Sequence, residues 1–160
     1  MKEFKKGKAS YFKKVIENIN KTGLHYNLIS SDGYTPAFIY TIGLTQTYKH
    51  PELILFGLPH DTLISIMNHA VKLIANGERL ENGKKYFGFV INFPIRIEKI
   101  HESQIQTYLI GASWYYKSQE FDALQIVWPD PNGIFPNEDG FEAQYNKAQP
   151  LLSRLKNVIN

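Results

Sequence analysis

Two hydrophobic runs near the middle of the chain constrain its fold most strongly: residues 36–44 (PAFIYTIGL) and residues 52–58 (ELILFGL). Both are strongly apolar and read as strands, and a polar loop with His50 and Pro51 separates them. The second run is apolar at consecutive positions, which is typical of a central strand covered on both faces. The sequence therefore predicts a sheet with this strand in its interior.

The rest of the pattern predicts an α+β fold. The strands are predicted at residues 24–30, 37–44, 52–58, 85–92, 94–100 and 123–128. The helices are predicted at residues 11–22, 61–76, 103–117 and 151–159. The turn signal Ser31-Asp32-Gly33-Tyr34 favours a hairpin, and strands and helices do not alternate regularly. We therefore expect a mainly antiparallel curled sheet, like a partial barrel, of about six strands with three or four covering helices.

Length and composition indicate one globular domain over residues 1–160. The chain is 43% hydrophobic, has a net charge of +3 and contains no cysteine, which excludes disulfide scaffolds, thiolate zinc sites and cysteine nucleophiles. Much of the positive charge lies near the start, at Lys2, Lys5, Lys6, Lys8, Lys13 and Lys14. We expect residues 1–9 to form a flexible basic arm. With neither a signal-peptide pattern nor a membrane span, the chain is expected to be cytoplasmic.

Several specific motifs are missing from the sequence. It contains no glycine-rich nucleotide-binding motif, no Walker-type loop, no nucleophile elbow and no H-E-x-x-H pair. Its five histidines lack the spacing of metal ligands, so no metal site is predicted. The sequence specifies no cofactor and leaves open whether the protein is an enzyme.

The catalytic candidates are His50, Glu52 and Asp130. If the sheet brings the start of one strand to the end of another, these three could form an acid–base cluster, since histidine exchanges protons near neutral pH. The alternative is structural: His50 would hydrogen-bond its own loop, and Asp130 would form a turn before Pro131.

Five further residues are candidates for binding a ligand: Tyr40, Thr41, Gly43, Gln125 and Trp128. The small residues Thr41 and Gly43 leave room for a ligand or, equally, for a neighbouring segment of backbone. Tyr40 and Trp128 could wall an aromatic pocket, in which Gln125 would hold a ligand by paired hydrogen bonds. In the alternative, Trp128 belongs to the core and Gln125 satisfies backbone groups at the sheet.

These stretches resemble a bacterial family known as domain of unknown function 4262. The matching segments are residues 32–33, 36–44, 50–59, 123–130, 133–136 and 149–152. They extend over about residues 24–152, and one departure is Asn137, where relatives are expected to have an aromatic residue. The resemblance implies no established activity, cofactor or catalytic residue.

The function favoured by the sequence is small-molecule binding, with or without catalysis, in a pocket at strand ends. The alternative is a protein-interaction or immunity-like accessory module without catalysis, which ten tyrosines and ten phenylalanines would suit. Nucleic-acid binding through the lysine-rich start is a disfavoured third reading, and membrane association is not expected. The sequence names neither the ligand nor the oligomeric state.

Overall fold

The computed structural model describes the backbone of residues 2–154 and the side chains of residues 7–154. Its strands are β1 (His25–Ile29), β2 (Phe38–Ile42), β3 (Glu52–Phe56), β4 (Lys85–Tyr86), β5 (Ile95–Lys99) and β6 (Ala123–Val127). They form one sheet in the order β1-β2-β3-β6-β5-β4. All neighbours are antiparallel except β3 and β6, which are parallel. The predicted α+β fold is confirmed, although the sheet is mixed and does not close into a barrel.

Helices cover both faces of the sheet. They are α1 (Lys2–Thr22), α2 (Leu44–Tyr48), α3 (His60–Ala75), α4 (Glu102–Tyr108) and α5 (Ile110–Tyr116), with one 3₁₀ turn at Ala143–Tyr145. Helix α3 packs on one face, and α1 and α5 pack on the other. Strand β3 lies between β2 and β6 with all five residues buried, as the consecutive apolar run predicts.

The core on the α3 face follows the helical periodicity of the sequence. The predicted stripe of Leu63, Met67, Ala70, Val71 and Ile74 is buried. It packs against Leu53 and Leu55 of β3 together with residues of β2, β5 and β6. On the opposite face, Val15 and Ile19 of α1 join Tyr40, Ile54 and Ala112 in a second cluster. Burial of these two faces fixes which strand residues point to which side.

Several boundaries differ from those expected. Helix α1 begins at Lys2 rather than near Ser10, because the intervening residues contain no proline and several good helix formers. The strand predicted over residues 85–92 is limited to Lys85–Tyr86. One long helix from 103 to 117 is divided at Leu109 into α4 and α5. The closing helix expected at 151–159 lies mostly outside the described residues, and residues 151–154 are not helical.

The largest difference is α2, which occupies the predicted polar loop. Helix α2 depends on Glu52, which follows it in the chain. The carboxylate of Glu52 accepts hydrogen bonds from the first backbone N–H groups of α2. Among the described residues, none of these helices is long and apolar enough to cross a membrane.

Candidate functional site

The carboxylate of Glu52 is buried at the start of β3 and is surrounded by donors. It accepts five hydrogen bonds, from the backbone N–H groups of Gly43, Leu44 and Thr45 and from the hydroxyls of Thr41 and Tyr116. Helix α2 therefore begins at the side chain of Glu52, which satisfies N–H groups that a helix start leaves unpaired. Burial raises the pKa of Glu52, and the hydrogen bonds from Thr41 and Tyr116 oppose that shift.

His50 is also buried, and the fold engages both nitrogens of its ring. Its Nε2 accepts a hydrogen bond of 3.0 Å from the backbone N–H of Leu80. The proton of the neutral ring is therefore on Nδ1, which donates to the Pro51 carbonyl at 2.8 Å. Burial lowers the pKa of His50, and the hydrogen bond to Pro51 opposes that change. Both ring nitrogens thus form hydrogen bonds with backbone groups of the protein.

Gln125 connects β6 to a later segment of the chain. Its amide nitrogen donates to the Pro150 carbonyl at 2.7 Å, and its oxygen accepts from the Leu152 N–H at 3.0 Å. The paired hydrogen bonds expected of Gln125 are present, but their partner is the protein backbone.

Trp128, the residue after the end of β6, holds the same later segment. Its indole N–H donates to the Phe56 carbonyl at 2.8 Å, so the ring lies across the end of β3. Its backbone N–H and carbonyl both bond to the amide of Gln149, at 2.8 and 2.9 Å. Trp128 belongs to the core cluster on the α3 face.

Asp130 organises the loop that follows β6. Its carboxylate accepts hydrogen bonds of 2.9 to 3.0 Å from the backbone N–H groups of Asn132, Ile134 and Glu142. Burial acts to raise the pKa of Asp130, but these backbone hydrogen bonds outweigh it and leave the pKa below its usual value. This geometry corresponds to the structural alternative for an aspartate in a turn.

Tyr40 and Gly43 also face protein rather than an open pocket. The Tyr40 hydroxyl accepts hydrogen bonds from the Asn27 side chain at 2.7 Å and from the Gly111 N–H at 2.9 Å. Gly43 has a φ of 114°, and a β-carbon there would lie 2.7 Å from the carbonyl oxygen of Gly23. The absence of a side chain at Gly43 thus allows the backbone between α1 and β1 to pack directly against it.

The structure does not bring the three catalytic candidates together. Because β3 and β6 run parallel with Glu52 opposite Ala123, His50 and Glu52 lie at the end of the sheet where β6 begins. Asp130 follows the opposite end of β6. The hypothesis of one pocket shared by His50 and Asp130 is therefore wrong.

A different cavity lies at the end of the sheet where β5 finishes and β6 begins. We call it the strand-end groove, and it has a volume of about 810 Å³. It is lined by residues 99–102 and 117–122, together with Asn82, Ile105, Gln106, Ser113 and Ser153. A smaller hollow of about 450 Å³ adjoins it, sharing Glu120, Phe121 and Asp122 and reaching Thr45 and His50. The start of β3 thus borders a cavity whose facing wall comes from the segment before β6.

The polar side chains of the strand-end groove make fewer hydrogen bonds and ion pairs with the protein than those of the residues predicted from the sequence. Lys99 pairs with Asp122 at 3.4 Å across the groove. Among the described residues, the side chains of Gln106, Lys117 and Glu120 make no hydrogen bond or ion pair with protein. Ile100, Ile105 and Phe121 supply apolar surface beside them. The groove therefore offers free donors and acceptors of both charges next to apolar contact area.

Lys117 has an unusual backbone conformation at the rim of this groove. Its φ is 54° and its ψ is −116°, and the Gln119 N–H donates to the Tyr116 carbonyl at 2.9 Å. These features define a type II′ turn with Lys117 at the position that favours glycine. This turn cannot be predicted from the sequence, because neither glycine nor asparagine occurs between Tyr116 and Gln119.

Across residues 7–154, no group of three or more histidine, aspartate or glutamate side chains is arranged to hold a metal ion. A family model described as Domain of unknown function (DUF4262) matches residues 18–142 of the chain. No curated protein and no solved structure matches it. The family resemblance inferred from the sequence is confirmed.

Proposed function

Because the chain belongs to the DUF4262 family, whose function is unknown, we propose from its own geometry that it binds a small polar organic molecule in the strand-end groove. The conformation of Lys117 carries this proposal. A lysine at the glycine position of a type II′ turn costs about 1–3 kcal/mol, and such strain is concentrated at functional sites.

The size and chemistry of the groove support the same function. A volume of about 810 Å³ lies within the range of small-molecule sites. The free ammonium group of Lys117 and the free carboxylate of Glu120 suit a ligand with groups of both charges, such as an amino-acid-like zwitterion. Phe121 and Ile105 would contact its apolar part. The absence of cysteine throughout the chain supports a reducing bacterial cytoplasm as the place of binding.

The test starts with native mass spectrometry of freshly purified protein. The purified protein is then screened by thermal shift against free amino acids, polyamines, small dicarboxylates and nucleosides. The key variant is Lys117→Gly, which relieves the strain and removes the ammonium group. We expect its melting temperature without ligand to rise by about 2–4 °C per kcal/mol of strain relieved. Its affinity for the ligand should fall by about tenfold or more, as for loss of a charged hydrogen bond.

Lys49→Gly is the matched control. Lys49 also has a positive φ, 55°, and is exposed, but it lines the smaller hollow rather than the groove. It should gain stability and keep the affinity for the ligand. The proposal is contradicted if no compound binds, or if a bound compound has the same affinity for Lys117→Gly and the wild type.

A further inference from the structure

The two edge strands of the sheet differ in their protection against pairing with another chain. Strand β4 has two residues and begins in the basic pair Lys84-Lys85, and short basic edges discourage pairing. Strand β1 has five residues, His25–Ile29, and contains no lysine, arginine, acidic residue or proline. Its outer edge has no strand beside it in the described residues. By the usual criteria, β1 is an unprotected edge.

The surroundings of β1 leave space along this edge. The side chains of Leu28 and Ile29 are 37% and 38% exposed. An open hollow of about 410 Å³ lies between the end of α1 and the start of β1, lined by Asn18, Thr22, Leu24, His25 and Tyr26. An approaching strand would therefore meet free backbone groups, apolar side chains and room for its own side chains.

We propose that β1 pairs with β1 of a second copy of this chain, joining two six-stranded sheets into one continuous sheet across a two-fold axis. Full antiparallel overlap of two identical five-residue strands puts the central residue, Asn27, opposite itself. It also puts Tyr26 opposite Leu28, a pairing of an aromatic with an aliphatic side chain that stabilises neighbouring strands.

The charge pattern of β1 favours a second copy as the occupant. In a two-fold pairing the central residue of the strand lies opposite its own copy, so a charge at that position would face a like charge and repel it. Strand β1 carries no such charge. Burial lowers the pKa of His25, which keeps its ring neutral near pH 7. A charged partner strand would gain no salt bridge at this edge.

The experiment measures the mass of the purified protein by light scattering after size exclusion, up to its highest soluble concentration. We expect a dimer for the wild type and a monomer for Leu28→Lys/Ile29→Lys. At protein concentrations low enough for the wild type to be monomeric, the two proteins should have similar melting temperatures. Ile110→Lys is the matched control, because Ile110 is 66% exposed at the start of α5 and should leave the dimer intact. If the double variant does not fold, Leu28→Thr keeps β-propensity and should weaken the dimer.

Three outcomes overturn this inference. They are a wild type that stays monomeric at all concentrations, a dimer that persists in the folded edge variants, and a wild type whose β1 binds a different polypeptide in native mass spectra while remaining single-copy. Amide hydrogen exchange gives an independent readout: the outward N–H groups of β1 should become protected as protein concentration rises, whereas those of Lys85–Tyr86 should not.

Discussion

The hydroxyl of Tyr116, the last residue of α5, donates a hydrogen bond of 2.5 Å to the carboxylate of Glu52, the first residue of β3. The same carboxylate receives the first N–H groups of α2. One buried acidic group thus holds the end of α5, the start of α2 and the beginning of a central strand in fixed positions. The strand-end groove begins at the residue that follows Tyr116, Lys117.

Replacing Glu52 by glutamine should destabilise the protein by about 1–3 kcal/mol at neutral pH. The amide NH₂ of glutamine is a donor. It would face the hydroxyl and N–H groups whose hydrogen bonds the carboxylate now accepts. Chemical denaturation of the two proteins measures the difference. Glu120→Gln is the control, since Glu120 is exposed and has no partner among the described residues. Equal stability of the Glu52 and Glu120 variants would contradict the anchoring role.

Stability should fall with acid because of His50. Its pKa is lowered in the folded state, so its contribution is present above the unfolded-state pKa of about 6.5 and is lost as pH falls below that value. Protonated Nε2 could no longer accept from the Leu80 N–H. Denaturation between pH 7.5 and pH 5, values chosen at about one unit or more around that pKa, should show a shallower pH dependence for His50→Gln than for the wild type.

The control for this pH series is His60→Gln, which makes the same substitution at the exposed first residue of α3 and leaves the bond from Leu80 to His50 in place. His25 also has a lowered pKa from burial and should account for slope that remains in the His50 variant. An unchanged slope in His50→Gln would show that its ring is not the titrating group.

Sequence patterns predicted the parts of the fold that depend on neighbouring residues. The apolar stripe of α3 and the consecutive run of β3 are local periodicities, and both elements form as expected. Helix α2 could not be predicted in this way, because it is held in place by the side chain of Glu52, which follows it in the chain. That side chain is in turn bonded to the neighbouring strand β2. The division at Leu109 is similar, since the Gly111 N–H bonds to Tyr40, far away in sequence.

The predicted pocket shared by His50 and Asp130 is wrong for a related physical reason. The composition of a strand end does not show whether its polar side chains are free: Gln125 and Asp130 form their hydrogen bonds with the backbone of the segments that follow β6. Whether two strand ends meet depends on strand direction, and the parallel pairing of β3 with β6 separates His50 from Asp130. The strained turn at Lys117 has no composition signal at all.

Gln125→Met should destabilise the protein and loosen residues 149–152. Methionine has a similar volume but leaves the Leu152 N–H and the Pro150 carbonyl without their partner, at about 1–3 kcal/mol for a buried unsatisfied group. Limited proteolysis should show faster cleavage after β6, and chemical denaturation should show a lower free energy of unfolding. Gln144→Met, in an exposed contact with Glu142, should change neither. Unchanged proteolysis of a folded Gln125 variant would contradict the role of Gln125 in holding residues 149–152.

Gly57→Ala should be among the most destabilising single substitutions, because the chain after residue 145 passes directly over the end of β3. A β-carbon at Gly57 would lie 1.9 Å from the carbonyl oxygen of Ala148, so backbone must move. Gly77→Ala is the matched control: its φ of 95° is as unfavourable for alanine as the 80° of Gly57, but no atom lies within 4 Å of the added carbon. The unfolding free energy of Gly57→Ala should therefore be lower than that of Gly77→Ala by about 1–3 kcal/mol, the usual cost of overpacking. Equal losses in the two variants would mean that strain in φ alone explains both, and that the Ala148 segment does not pack on β3.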